Sequence, residues 1–291
     1  MRANLAALSL SILIGATVCS AQSEPTATVP SAKQADASYV YCSGFLSDPK
    51  IPEDIRVISG EQSDYKIAFW HRDHIFINRG EDKGVKVGDR FSIVRQDTDP
   101  ANEWFKGQPK LLKAMGTLYK DTGQVRVVSV QPKVSIAEVA FTCDYIQRGD
   151  IARPFEERPT PPFKEPAAFD HFAPVSGKPV GTIISASDYH QLLGRGDSMY
   201  VNVGADKGVK VGDYMRVFRY QGTNTALASE VKGYQYKLFG FGSAPARYEW
   251  KDLPREVLGE GIVLNVTKNA ATVLVTYSTV AMFTGDYVEG E

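Results

Sequence analysis

Only a few residues in this chain combine a reactive type with a spacing that could support chemistry. His71 and His74, with Asp73 between them and Trp70 beside them, make a His-x-x-His pair. Two imidazoles at that spacing could start a zinc site, but such a site needs a third protein ligand. Four histidines and three cysteines scattered along 291 residues supply no framework for one. A turn with exposed histidines is the expectation. Arg195-Gly196-Asp197 spells a cell-adhesion tripeptide, yet it aligns within the chain on His71-Arg72-Asp73, ahead of a strand, and reads as a hairpin turn. No Gly-x-Ser-x-Gly elbow or helical His-Glu-x-x-His occurs, and no paired-carboxylate site can be singled out. The expectation is therefore a non-enzymatic protein without catalytic residues, metal or cofactor. A hydrolase would need a concave site joining carboxylates or a Ser/His pair across domains.

The cysteines are the remaining candidates. Residues 1–21 read as a secretory signal peptide: Arg2 near the start, an apolar run from Leu5 to Val18, then Cys19-Ser20-Ala21. Cleavage after Ala21 removes Cys19. A membrane anchor is disfavoured because the run falls short of the roughly 20 apolar residues a bilayer needs. Lipidation of Cys19 is the less favoured alternative, since Val18 stands where a small residue is expected. The mature chain is expected in the periplasm or outside the cell, with no later transmembrane segment. Cys42 and Cys143 then remain, and an exporting compartment permits one disulfide between them. Chain-entropy bookkeeping gives roughly 4–5 kcal/mol for a loop of about 100 residues, an upper figure. A nucleophilic thiol would need a histidine nearby in sequence, and neither cysteine has one.

An internal repeat organises the elements that would position these groups. Ser63–Arg95 aligns with Ser187–Arg219 without a gap, at an offset of 124, with 15 identities in 33 positions. The octapeptide Asp82–Asp89 recurs letter for letter as Asp206–Asp213. The match resumes at an offset of 136, where Val127–Ile151 parallels Val263–Tyr287. A repeat of this length is a duplicated domain, too long for a solenoid unit. Within each copy short β-branched and aromatic runs alternate with a period of two: Ile75-Phe76-Ile77, Phe91-Ser92-Ile93-Val94, Met199-Tyr200-Val201 and Met215-Arg216-Val217-Phe218. Ser135, Ala137, Val139 and Phe141 share the parity expected to face inward, matched by Val273, Val275 and Tyr277. Glu103–Met115 is the one stretch that suits a short helix. The fold class is all-β: two tandem small barrels or sandwiches over residues 39–153 and 180–290, joined by a Pro-rich linker at 154–179. Seven prolines and Phe155, Phe163, Phe169 and Phe172 make that linker a strap lying on a domain surface. Residues 22–38 read as a disordered leader.

Gly80, Gly84 and Gly88, with Gly204, Gly208 and Gly212, fall between strands, where glycine supplies positive φ freely. Asp89, Asp213, Asp150, Asp197 and Asp286 each follow a glycine at the head of a strand. Each is expected to close its turn by accepting from backbone N–H groups two residues on. Phosphate binding by the glycine motif is disfavoured because a strand follows it where a helix would be needed.

The two copies diverge between their middle strands. Tyr220–Glu256 holds Tyr234, Tyr236, Phe239, Phe241, Tyr248 and Trp250, whereas the first copy has the shorter Trp104-Phe105 loop there. These eight aromatics are the candidate interaction surface, for an envelope protein first and a glycan second, against the alternative of a cluster folded back over the barrel end. With Lys+Arg 33 against Asp+Glu 34, a net charge of −1 and no basic patch, no nucleic-acid partner is expected.

Asn78, Gly80, Gly84, Val85, Lys86, Gly88 and Asp89 carry a pattern that resembles the C-terminal module of the flagellar assembly protein T family. It also resembles modules that follow LysM domains in bacterial envelope proteins and, more loosely, the barrels of the rod-shape protein MreC. Asn202, Gly204, Gly208, Val209, Lys210, Gly212 and Asp213 repeat it. The resemblance covers about 25 residues well in each copy. It implies a periplasmic or envelope barrel module without catalysis. The LysM repeat and flagellar middle domain of those proteins are not recognisable here, so it does not carry over a flagellar or peptidoglycan role.

Overall fold

In chain order the computed structural model places helix α1 (Ala37–Cys42) and strand β1 (Phe45–Ser47) ahead of a first sheet. That sheet is built from β2 (Val57–Gly60), β4 (His74–Ile77), β5 (Arg90–Gln96), β6 (Thr117–Val130), β7 (Ser135–Thr142) and β9 (Ile151–Pro154). A two-residue pair, β3 (Ala68–Phe69) with β8 (Ile146–Gln147), closes one end, and helix α2 (Gln108–Met115) lies between β5 and β6. The structure describes residues 34–97, 103–164, 168–220 and 254–291. The second half holds β10 (Val180–Ala186), β12 (Ser198–Val201), β13 (Tyr214–Tyr220), β14 (Arg255–Val266), β15 (Ala271–Ser278) and β17 (Tyr287–Gly290). Its end pair is β11 (Leu192–Leu193) with β16 (Met282–Phe283).

The fold is mostly β, and both halves run in one order. The first sheet reads β2-β4-β7-β6-β5-β9 and the second β10-β12-β15-β14-β13-β17. The second is a closed barrel, with β10 paired to β17. The first curls until its edges are bridged: Val57 N–H donates to Asp150 O at 2.9 Å, and Gly149 N–H to Val57 O at 2.8 Å. Ile183 and Asp286 make the corresponding bond at 2.9 Å, Gly285 and Ile183 the other at 2.8 Å. We call the halves module one and module two.

Their curvature has a sequence cause. Where β6 crosses β7, a Cβ on Gly123 would sit 2.4 Å from Phe141 O; where β14 crosses β15, one on Gly259 would sit 2.2 Å from Tyr277 O. Only glycine lets the strands approach so closely. Bulges between Val127 and Ser129 and between Val263 and Asn265 add twist at matching positions.

Ser135, Ala137 and Val139 are buried, so the inward parity in β7 is as expected. In β15, however, both faces are buried from Ala271 to Val275, while Tyr277 is exposed and meets the strap's Phe169 with ring centroids 4.9 Å apart. The second face is buried because module two's outer wall is covered by the rest of the chain. Leu46 and Leu118 pack on Ile184, Tyr200 and Ala270, with Leu111, Leu112 and Met115 of α2 beside them. Ala35 and Val40 pack on Ile262, Leu264 and Leu274. Gln108 Nε2 donates to Ile184 O at 2.9 Å, and Tyr200 Oη donates to Ser43 O at 2.9 Å. Part of the stretch expected to be a leader belongs to the fold: Gln34 bridges Pro162 and Ala35 is buried. The sequence stretch 34–38 is polar, and only its place against module two's wall gives it structure.

Candidate functional site

The repeated motif is a folding device. Asp89 Oδ2 accepts from Lys86 N–H at 2.9 Å while Asp89 N–H donates to Lys86 O at 3.2 Å. Asp213 does the same with Lys210, at 2.8 and 3.1 Å. Asp150 closes on Gln147, Asp197 on Gly194 and Asp286 on Phe283 in the same way. The carboxylates reach three residues back, where the sequence reading had them reach two residues forward. The turn lies behind each aspartate, and the residue ahead is already in a ladder. Gly84, Gly88, Gly208 and Gly212 have φ between 79° and 95°, as expected. Gly80 and Gly204 do not: their φ values are −127° and −141°. They are glycine because a Cβ would meet Gln131 O at 2.3 Å and Thr267 O at 2.5 Å, respectively. His71-Arg72-Asp73 and Arg195-Gly196-Asp197 are the same turn, with φ of 71° at Arg72 and 96° at Gly196.

Two of these aspartates carry a second load that spacing did not reveal. Arg95 grips Asp150 through Nε at 2.7 Å and through a second nitrogen at 2.9 Å, and reaches Tyr145 O at 2.9 Å. Arg219 grips Asp286 at 2.7 Å through two nitrogens and reaches Ala281 O at 3.4 Å. These bidentate pairs lock β5 to the head of β9 and β13 to the head of β17, next to the edges where the sheets close. Burial pulls Arg95 down, but Asp150 more than offsets this and holds it above its ordinary value. The recurrence of Arg95 and Asp150 as Arg219 and Asp286 was the available signal.

Cys42 and Cys143 form the disulfide, with Cα atoms 5.3 Å apart. Cys143 lies one residue past the end of β7, so the bridge ties α1 to the β7–β8 connection. Beside it, Asp121 accepts from Arg158 at 2.7 and 2.9 Å and from Gly44 N–H at 3.1 Å, and Arg158 also donates to Val40 O at 3.0 Å. The strap is thus pinned to module one and to the end of α1 by one buried ion pair.

Of the aromatic candidates, Trp104 and Phe105 are half-buried at the approach to α2. Trp104 N–H donates to Gln108 Oε1 at 2.7 Å, and α2 docks on module two. Tyr234, Tyr236, Phe239, Phe241, Tyr248 and Trp250 lie outside the described residues. Among the described residues an exposed apolar cluster lies on the β2–β4 connection of module one. Tyr65 is 77%, Ile67 78% and Trp70 51% exposed within six residues. The loop is held: β3 pairs β8, Arg148 donates to Ser63 O at 2.7 Å, and Lys66 pairs with Asp73 at 2.7 Å. Burial pushes the Asp73 carboxyl up, but Lys66 and the Trp70 N–H outweigh it, so Asp73 sits below the usual carboxylate value. In module two the aligned residues are Tyr189, Gln191 and Gly194, and Tyr189 is packed into the junction between modules. The tyrosine is shared, and the divergence of Ile67 and Trp70 is visible in the aligned sequences. His71 is exposed and His74 Nδ1 lies 3.1 Å from Glu61 Oε2. Among the described residues no group of three or more metal-type side chains forms, and no helix is long and apolar enough to cross a membrane.

Residues 72–154 match the family model for flagellar assembly protein T, C-terminal domain. The matched stretch runs from the Trp70–Asp73 turn to the end of β9, and the Asn78-to-Asp89 motif lies inside it. The resemblance read from those motif residues is thereby shown for module one. A comparison with curated proteins gave no match.

Proposed function

We propose that the chain is an exported, non-enzymatic envelope protein made of two copies of this flagellar-assembly-type module, and that it works by holding another protein against the Tyr65–Ile67–Trp70 end of module one. The observation that carries this reading is three large apolar side chains, more than half exposed, on a loop that hydrogen bonds and an ion pair keep from folding back. Exposed apolar clusters on a braced loop mark interaction sites, and Trp and Tyr are the side chains most often found as anchors there. Trp70 and its neighbour Tyr145 are tilted by 53°, which suits a shaped protein pocket better than the flat platform a sugar ring stacks on. The shared strand order supports duplication, the family description supports an assembly role, and the disulfide is consistent with an extracytoplasmic compartment.

A photo-crosslinking residue in place of Ile67, introduced in the living cell, tests this. A discrete adduct with a second protein is expected, on a chain recovered from the periplasm whose first residue is Gln22. The combined Tyr65→Ser and Trp70→Ala change should remove most of that adduct and leave the unfolding midpoint unchanged, since both rings are exposed. Equal adduct from a probe at Val87, exposed on the β4–β5 connection, or a chain retained in the cytoplasm, overturns the proposal.

A further inference from the structure

Two guanidinium groups flank the exposed apolar residues of the β2–β4 connection. Arg148, exposed on the connection after β8, donates to Ser63 O at 2.7 Å, which holds its guanidinium beside the residue two places ahead of Tyr65. Arg72, also exposed, lies two places past Trp70, and its own backbone N–H is fixed to Val139 O at 2.8 Å. Neither guanidinium forms an ion pair among the described residues. The acids nearby are engaged: Lys66 takes Asp73 at 2.7 Å, and Glu61 Oε2 lies 3.1 Å from His74 Nδ1. Glu138 stands between His74 and Arg126 in the ladder. Asp64, exposed, is the carboxylate of residues 61–73 that has no such partner among the described residues. Two guanidiniums and one carboxylate are therefore left open around Tyr65, Ile67 and Trp70.

Module two shows that the scaffold does not need these cations. The residues aligned with Ile67, Trp70, Arg72 and Arg148 are Gln191, Gly194, Gly196 and Thr284. The turn survives the exchange: Asp197 accepts from Gly194 N–H at 2.8 Å, as Asp73 accepts from Trp70 N–H at 2.7 Å. Its positive-φ position is Gly196 at 96° in one module and Arg72 at 71° in the other. A bulky residue in the left-handed region is kept against a backbone cost, and such outliers gather at functional sites. The apolar and the cationic side chains thus belong to the same end of the same module. On the reading that Tyr65, Ile67 and Trp70 hold another protein, on which this rests, we propose that the segment they hold is acidic. Its apolar side chains lie on the three exposed ones, with one Asp or Glu at Arg148 and another at Arg72. An apolar centre inside a charged rim is the anatomy of a protein interface, and the planar guanidinium fork matches a carboxylate in two bonds. Rim charges of this kind speed encounter and reject a like-charged competitor. Two open cations around three apolar side chains, on a chain of net charge −1, suit protein carboxylates better than the repeated phosphates of a nucleic acid.

The test uses the purified full chain and fluorescent synthetic peptides that share one apolar core and are flanked by Glu, by Lys or by Ser. Anisotropy should show the Glu-flanked peptide binding at least about tenfold more tightly than the Lys-flanked one, with the Ser-flanked one between them. Raising salt from about 0.05 M to about 0.5 M should remove most of that preference, because exposed charges are screened. Arg72→Glu combined with Arg148→Glu should reverse the order of the Glu and Lys peptides. Arg72→Lys with Arg148→Lys keeps both charges, and should preserve the order while losing part of the affinity. Arg148 also braces Ser63, whereas the Arg72 side chain makes no hydrogen bond or ion pair among the described residues. Arg72→Glu alone therefore leaves the loop's support in place, and should still cut the preference about threefold or more. Circular dichroism confirms the fold of each variant. Equal affinity for the peptides, tighter binding of the Lys-flanked one, no measurable binding of the Glu-flanked one, or a preference unchanged in both charge-reversed variants overturns the proposal. The Ile67 adduct in the cell is read separately. An adduct without a preference for Glu removes the acidic partner and leaves the site, whereas an absent adduct removes both.

Discussion

The chain in which Cys42→Ser and Cys143→Ser are combined should unfold about 2–5 kcal/mol more easily than the oxidised parent. The bridge joins residues 101 apart in sequence, for which the loop-entropy relation gives about 4.7 kcal/mol, and native bridges often deliver less than this ceiling. The loss should fall first on the junction between modules. α1 is six residues long, makes no side-chain N-cap bond, and buries only Val40. A helix that short has no stability of its own, so its place on module two's wall depends on what ties it down. Urea unfolding of parent and double variant, each with and without reductant, measures the effect. Reductant should shift the parent to the variant's midpoint and leave the variant where it is. A difference below about 1 kcal/mol would mean that packing alone holds α1.

Asp121→Ala should cost about 3–5 kcal/mol, the range for removing one partner of a buried ion pair. Asp121 is 3% exposed and collects two bonds from Arg158 and one from Gly44 N–H. Arg158, with its side chain only 13% exposed, would be left facing Val40 O and the rings of Tyr41 and Phe45 without a countercharge. Adding Arg158→Met should recover much of the loss, since the uncompensated charge and not the absent bond dominates the cost. Because the pair is desolvated, the penalty should persist in 1 M salt, where surface pairs are screened. A cost that vanishes in salt, or a double variant no better than Asp121→Ala alone, would make the pair a surface contact.

How much of this could be read from the residues differs by element. The alternation of Ser135, Ala137 and Val139 against Ile136 and Glu138 is a local signal, and it predicted β7 and its buried face. The Asp82–Asp89 repeat predicted matching turns, because a glycine with positive φ followed by a turn-closing aspartate is decided within four residues. The cysteine pairing followed from counting. Three readings went astray for one reason, that each depended on a neighbour distant in sequence. Gly80 is glycine because of Gln131 and Lys133, Tyr277 lies past a register shift against β14 between Glu260 and Gly261, and Ala35 is buried because module two lies beneath it. The exposure of Tyr65, Ile67 and Trp70 had no signal in the sequence, because exposure cannot be read from residue type.

Taken alone, the sequence determined the all-β class, the repeated order of strands and turns, the likeness to one assembly-protein module, and which two cysteines pair. Those follow from period-two patterning, glycine backbone freedom and residue counts, all short-range or arithmetic. Tertiary structure alone decided that Arg95 and Arg219 clamp Asp150 and Asp286, that Arg158 and Asp121 pin the strap, and that among the described residues Ile184 and Leu264 of module two are covered while Ile58 and Val128 at the matching positions of module one are exposed. Burial and ion pairing are properties of surfaces brought together by the fold, and two modules with nearly the same turns acquire different surfaces as soon as one of them is packed against the rest of the chain.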